Sequence, residues 1–503
     1  MINRDTKITR RSLLNSGLLL AAAQTAPASA ALALGAAKTQ SYTAAPRSPK
    51  SGQGDPRPNM IFIIADDLRY DDLSCTGHPY AKTPHLDRIA REGVKFNNAR
   101  CTTPLCSPSR ASYQTGLYVH SHRIVNNDRD GEAELSHRLP TFSRILFNDG
   151  YESAFVGKWH MGFDDTVRPG FDYWVSFKAV GLYQNIIFNV NGVREQKRGY
   201  TTDFLNEYAV NFIEQPHSKP FVMHIGHKAP HLPYLPAPQD DELYKDAPYD
   251  VPAITAGDLE GKPVLHLKPP PVDVLRVEGV TPEPMESRFG RPSDLASVTR
   301  DRARCVASMD RGVGMIFDAL ERTGQLDNTI LIFTSDHGYL MGEHGIKEEK
   351  RWAYEPSVRV PLLMRYPKLI PAGSERNQNV LNIDIAPTLL DLAGVKSPTP
   401  MHGSSLLPVL RNSDAPLRDS FLCEYFLEKF VPGIPDWQSV SQGKWKYIHY
   451  PTLSGMDEMY DLSSDPKEEK NVIAEASNRE VLGQMKTELT RLLAASQTNL
   501  SMV

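Results

Sequence analysis

Cys106 opens the run Cys106-Ser107-Pro108-Ser109-Arg110-Ala111-Ser112-Tyr113-Gln114-Thr115-Gly116, which sets a thiol two residues before a proline and four before an arginine. An isolated cysteine is more often a small buried hydrophobe than a reactive group. A thiol with a cation in fixed register is a candidate nucleophile, or the precursor of one. Asp66-Asp67 and Asp336-His337-Gly338 each follow an apolar run of strand length, where α/β proteins carry their ligands. Acidic pairs in such places either form solvated turns or hold a hard cation through oxygen. Gly157-Lys158-Trp159-His160 follows a third run, Ala229-Pro230-His231-Leu232-Pro233 a fourth, and Lys350-x-x-x-Tyr354-Glu355 lies beyond the second acidic group. Fixed cations stabilise a transition state that spreads negative charge over peripheral oxygens. A histidine near neutrality can serve as base in one step and acid in the next.

These side chains need a frame. Residues 60–65 (Met-Ile-Phe-Ile-Ile-Ala) are continuously apolar, as a strand buried on both faces should be, and residues 153–156, 221–225, 330–334 and 360–364 read the same way. Helical patterns alternate with them. Thr83-Pro84 suits an N-cap and first turn ahead of Leu86, Ile89 and Ala90, with Gly93 as the stop. Val306, Met309, Val313, Ile316, Phe317 and Leu320 form a second stripe, closed by Gly324. The alternation predicts an α/β fold: a large, mostly parallel mixed sheet covered by helices on both faces. Residues 235–300, with Pro269-Pro270-Pro271, read as a long irregular insertion of the kind that often lines a site. Beyond about residue 412, short amphipathic segments such as Lys446-Tyr447-Ile448-His449-Tyr450 and a helical stretch near 476–494 predict a small α+β subdomain. The domain reading is a catalytic domain over 58–411 and a C-terminal subdomain over 412–503.

From about Asn59 to Asn471 the chain resembles the sulfatase family of the alkaline-phosphatase-like superfamily. The resemblance rests on the cysteine motif, the two acidic pairs, and the Lys/His set in family order. It implies that Cys106 is oxidised to formylglycine, whose hydrate carries two hydroxyls. One can attack sulfur, and collapse of the other expels sulfate, dividing a difficult displacement into two steps. It also implies a cation, Ca²⁺ with Mg²⁺ as runner-up, on Asp66, Asp67, Asp336, His337 and the residue at 106. Lys158 and Lys350 would contact the sulfate, His160 act as base in the elimination, His231 protonate the leaving oxygen and Arg110 orient the nucleophile. His344, in Gly342-Glu343-His344-Gly345, either contacts substrate or shapes its loop. His224 and His227 read as packing residues, Asp71-Asp72 as a solvated turn, and Glu458-Met459-Tyr460-Asp461-Leu462 as a structural signature that docks the small subdomain.

The segments Arg168-Pro169-Gly170-Phe171-Asp172-Tyr173-Trp174, Asn189-Val190-Asn191-Gly192 and Tyr200-Thr201-Thr202-Asp203 are similar to N-acetylglucosamine-6-sulfatases. A carbohydrate sulfate is therefore the expected substrate, with Trp and Tyr available to stack on sugar faces. Two other readings share these residues. One is a phosphomonoester or phosphodiester hydrolase of the same superfamily; the other is a sulfated-glycan-binding protein whose Cys106 is never modified.

A formal net charge of −4 leaves no basic footprint for nucleic acid. Five cysteines in 503 residues are too few for a disulfide scaffold. Thr9-Arg10-Arg11-Ser12-Leu13-Leu14, a mild apolar stretch and Ala28-Ser29-Ala30 make residues 1–30 an expected signal peptide, of the twin-arginine or the ordinary secretory type. Residues 31–57 read as a linker. The apolar stretch is shorter than the ~20 residues of a membrane span, and no stable membrane anchor is expected. The protein is thus expected to be exported to the periplasm or beyond. Twin-arginine transport carries folded proteins, which implies a cytoplasmic formylglycine-generating maturase as a transient partner.

Overall fold

A computed structural model describes residues 56–127, 132–248, 258, 260–267, 294–346, 348–429, 431 and 433–497. The expected signal peptide and nearly all of the expected linker lie outside these residues, as does most of the proline-rich stretch after 248. The strands in chain order are β1 (Asn59–Ala65), β2 (Val94–Phe96), β3 (Ala99–Arg100), β4 (Glu152–Gly157), β5 (Tyr173–Ser176), β6 (Ile187–Val190), β7 (Val193–Gln196) and β8 (Phe221–Gly226). They continue as β9 (Thr329–Ser335), β10 (Leu362–Arg365), β11 (Ser374–Arg376), β12 (Val380–Leu381), β13 (Ser420–Tyr425), β14 (Trp437–Gln442), β15 (Trp445–His449) and β16 (Glu458–Asp461).

Ten of them form one sheet in the order β11-β2-β10-β9-β1-β8-β4-β5-β6-β7. Its centre, β9-β1-β8-β4-β5, is parallel. The flanks turn antiparallel at β10 and at the β5-β6-β7 meander. Ile61, Ile63 and Ala65 of β1 pack into one apolar cluster with Leu205, Phe212, Val306, Met309 and Phe317. Met60, Phe62 and Ile64 pack into another with Phe142, Leu146, Leu389 and Leu390. Alternate residues of one strand thus feed cores on opposite faces, which is why β1 reads as an unbroken apolar run.

Several local expectations are corrected. Thr83 stands at the N-cap of the helix Pro84–Arg91 without capping it, because its hydroxyl bonds Asp87 at 3.0 Å. The free amides of His85 and Leu86 go instead to Asp310 Oδ1, at 3.0 and 2.8 Å. The solvated-turn reading of Asp71-Asp72 fails at Asp72, whereas the Asp71 side chain is 37% exposed. Asp72 is buried and accepts from Arg302 Nη2 at 2.9 Å and from the Arg69 amide at 3.0 Å. The 235–300 stretch is not irregular throughout, since the helix Leu295–Arg322 begins inside it, capped by Asp294.

β13–β16 make a separate antiparallel sheet, against which the helix Arg479–Ala495 sets Met485 and Leu489. Their cluster also takes in Leu105, Leu340, Trp352 and Tyr354. The small sheet therefore shares its core with the loops that flank Cys106 and Lys350.

Candidate active site

β1 and β9 pair in register up to Ala65 and Ser335, so the residues that follow leave the sheet side by side. Asp66, Asp67 and Asp336 are all fully buried there. Asp67 turns back with a φ of 66°, and its amide donates to Asp336 Oδ1 at 3.1 Å. Next along, His337 donates from Nδ1 to the Gly338 carbonyl at 2.9 Å. That bond fixes the tautomer and leaves Nε2 as a lone-pair donor. This nitrogen lies 3.4 Å from Asp67 Oδ1, 3.5 Å from Asp336 Oδ1 and 3.5 Å from Cys106 Sγ. Asp67 Oδ2 is buried with no hydrogen-bond partner. Ligand atoms of Asp66, Cys106, Asp336 and His337 lie within 4.8 Å of one another, as do those of Asp66, Asp67, Cys106 and His231. Burial and the neighbouring Asp66 push the Asp336 carboxyl up to about 7. Three clustered carboxylates, one carrying an orphaned oxygen, are a donor set that fits a hard divalent cation.

Cys106 is the first residue of the helix Cys106–Thr115 and is fully buried. Its Sγ sits 3.3 Å from Lys350 Nζ and 3.6 Å from Asp66 Oδ1. Burial alone would raise the thiol. Lys158 and Lys350 outweigh it, with His160 and His231 adding to them, and hold Cys106 well below the ordinary thiol range. The positive end of the helix acts in the same direction. Arg110 stands one turn on, on the same face. Its Nε meets Asp336 Oδ2 at 3.0 Å and its Nη1 meets the Lys158 carbonyl at 2.8 Å. Pro108 is tolerated because the first turn needs no amide donor. Ser107 and Ser109, which carried no signal in the sequence, staple the helix to the carbonyls of His160 and Asp336.

Lys158 reaches the site because Gly157 ends β4 at a φ of 118°; a Cβ there would lie 2.0 Å from the Gly226 carbonyl oxygen of β8. Its Nζ forms a short ion pair with Asp66 Oδ2. Lys350 Nζ pairs with Asp67 Oδ1 at 2.7 Å. His160 adopts a φ of 57°, and burial together with Lys158 drives its imidazole down to about 4, so it is neutral near pH 7. His231 donates from Nδ1 to the Leu232 carbonyl at 2.8 Å, which leaves Nε2 3.8 Å from Asp67 Oδ2. Its side chain is 10% exposed against 6% for Lys350 and none for Lys158, so the site opens beside His231.

Lys228 was not foreseen. It is buried beside the same carboxylates, its Nζ donates to the Leu232 carbonyl at 3.1 Å, and burial with Lys158 lowers it to about 8. A lysine in a loop gives no sequence signal of this kind.

His344 stands apart. Its Nδ1 pairs with Asp258 at 2.9 Å, its ring packs on Tyr354, and among the described residues it makes no hydrogen bond or ion pair with the Cys106 cluster. His224 is a packing residue, held by Gln114 between Phe62 and Phe155. Trp159 and Trp174 are not open faces for a sugar: both are buried in an aromatic cluster with Phe155 and Phe171. Asn191 and Gly192, at φ values of 51° and 93°, form the tight turn between β6 and β7. Positive φ at both turn residues is what such hairpins need, so that motif is explained by the turn.

A parallel sheet with carboxylates, lysines and histidines gathered at its strand ends around one buried thiol defines a hydrolase of anionic esters. The sulfatase family model matches residues 58–395, and a model described as N-sulphoglucosamine sulphohydrolase, C-terminal, matches 342–495. The chain belongs to the sulfatase family. It is 31% identical to an N-acetylglucosamine-6-O-sulfatase of Bacteroides thetaiotaomicron, over 88% of this chain and 86% of that protein. It is 30% identical to the N-acetylglucosamine-6-sulfatase of Homo sapiens, with the same coverage of 88% and 86%. A solved structure in complex with its substrate D-glucosamine-2-N,6-O-disulfate superposes with a TM-score of 0.75 at 29% identity, covering 88% of this chain and 98% of that one.

Proposed function

We propose that this sulfatase removes the 6-O-sulfate from N-acetylglucosamine or from a glycan that carries it, using a formylglycine made from Cys106 and a bound calcium ion. The observation that carries this reading is the convergence on one atom: Cys106 Sγ lies within 3.6 Å of Lys350, His337 and Asp66. The two N-acetylglucosamine-6-sulfatases and the disulfated-glucosamine complex support the choice of sugar and position.

The modified residue supplies an oxygen nucleophile that can release sulfate without a separate hydrolysis. Asp66, Asp67, Asp336, His337 and position 106 would hold the calcium ion, which would supply charge compensation for the sulfate oxygens. The remaining work belongs to the chain. Lys350, in contact with position 106, and Lys158, paired with Asp66, take up charge on the peripheral oxygens of the ester. Arg110 locks Asp336 and the Lys158 backbone in place. His160, neutral at physiological pH, takes the proton released at position 106. His231 Nε2, at the mouth, delivers a proton to the leaving sugar oxygen from the imidazolium form of the ring, which burial opposes and Asp67 and Asp66 favour.

Cys106 is fully buried in the folded protein, which supports oxidation before folding. A cytoplasmic maturase acting on unfolded residues 106–110, followed by export through the leader in residues 1–30, fits that order. Among the described residues no helix is long and apolar enough to cross a membrane.

The test is a desulfation screen over defined sulfated mono- and oligosaccharides. Turnover confined to 6-O-sulfated glucosamine is expected. Faster turnover of 2-O-, 3-O- or 4-O-sulfated sugars would refute the assignment of position.

A further inference from the structure

Two loops that present reacting groups are tied together by one carboxylate from the C-terminal region. Glu428, just beyond β13, is 4% exposed. Its Oε1 accepts from the Asn127 amide at 3.1 Å, and its Oε2 accepts from Arg351 Nε in a short ion pair. Asn127 in turn accepts, through Oδ1, from the Ser107 amide at 2.9 Å. It thereby satisfies one of the free amides at the start of the helix that carries Cys106. Arg351 directly follows Lys350 and holds a left-handed φ of 72°. Its amide donates to the Pro104 carbonyl at 3.1 Å, and its carbonyl accepts from Trp437 Nε1 at 2.6 Å. A non-glycine residue keeps such a backbone only where its surroundings over-determine it.

We propose that Glu428 is a positioning residue for catalysis: it sets the separation between position 106 and Lys350 Nζ by fixing the Asn127 and Arg351 loops against each other. The inference rests on the sulfatase reading above. The side chain touches neither of the two groups it aligns. A misplacement of about 1 Å at such a pair can lower a rate on the order of 100-fold.

The test uses the full chain, with formylglycine content at position 106 measured by peptide mass for every variant. Glu428→Ala removes both contacts, whereas Glu428→Gln keeps an acceptor for the Asn127 amide and loses the charge for Arg351. Trp437→Phe removes only the donor to the Arg351 carbonyl and keeps the ring in the core. At matched formylglycine content, Glu428→Ala is expected to lower kcat about 100-fold and Glu428→Gln about tenfold. Trp437→Phe should fall in the same direction by less, with KM within about threefold of wild type in all three. Melting temperatures of the last two should stay within a few degrees of wild type. Unchanged kcat in Glu428→Gln and Trp437→Phe, or a loss carried by KM alone, overturns the proposal. A wild-type protein inactive on every sulfate ester would overturn the sulfatase reading and this inference with it.

Discussion

A thiol at the first turn of a helix, fully buried among Lys158, Lys350, Asp66 and His337, is a poor packing residue, because hydrocarbon would pack there without disturbing the charges. Its surroundings make sense when position 106 carries an oxygen nucleophile. Cys106→Ser is nearly isosteric, so it should fold with a circular-dichroism spectrum like that of wild type. It should also lower sulfate release by at least about a thousandfold, since its serine would be left as a sulfate ester. Retention of more than a tenth of the activity would show that the thiol precursor is dispensable. The carboxylates make a separate prediction. A cation that binds only the folded state stabilises it by mass action. Removing divalent cations with a chelator should therefore abolish turnover and lower the melting temperature, and calcium should restore both more fully than magnesium. A chelated protein with unchanged melting temperature and activity would remove the cation from the reaction.

The strand ends were legible because the strands were. β1, β8 and β9 are buried on both faces, so each reads as a continuous apolar run, and the polar residue that ends the run marks the site. That placed Asp66, Asp336 and the segment before His231 from the residues alone. His231 and Lys350 gained their roles from family order, because neither follows such a run directly. What stayed illegible depends on partners far away in sequence. Asp72 is buried only because Arg302 faces it, Asp310 caps a helix more than two hundred residues earlier, and Lys228 and Glu428 lie in loops without periodicity. Glu458 shows the same effect where the small sheet docks. It accepts hydrogen bonds from Tyr354 at 3.0 Å, Tyr450 at 3.1 Å and Tyr460 at 2.5 Å, and burial raises its carboxyl to about 7. Glu458→Ala leaves three buried hydroxyls without an acceptor and should destabilise the protein by about 2–4 kcal/mol in denaturant unfolding. A change below about 0.5 kcal/mol would mean that these hydroxyls find other partners.

Over the whole molecule, buried titratable groups set the response to acid. Burial holds His160 and His402 at about 4 and His122 and His227 at about 3, against an ordinary value of 6.5. Each binds its proton more readily unfolded, so the stability present above pH 6.5 is lost as the pH falls through these values. Asp310, Asp336 and Glu458, all raised to about 7, act in the opposite sense, but three carboxyls stand against four imidazoles. The melting temperature should therefore fall steadily between pH 6.5 and pH 4, and a flat profile across that interval would contradict the burial of these histidines as neutral rings. Among the described residues, the His231 side chain is the most exposed of the groups beside position 106. The reaction itself is tested most directly by following sulfate release from N-acetylglucosamine 6-sulfate and phosphate release from the 6-phosphate, in one preparation whose Cys106 peptide has been converted to the aldehyde. The sulfate ester should be hydrolysed with a kcat/KM at least about tenfold above that of the phosphate ester. Preference for the phosphate ester, or no sulfate released by fully converted protein, would contradict the assignment.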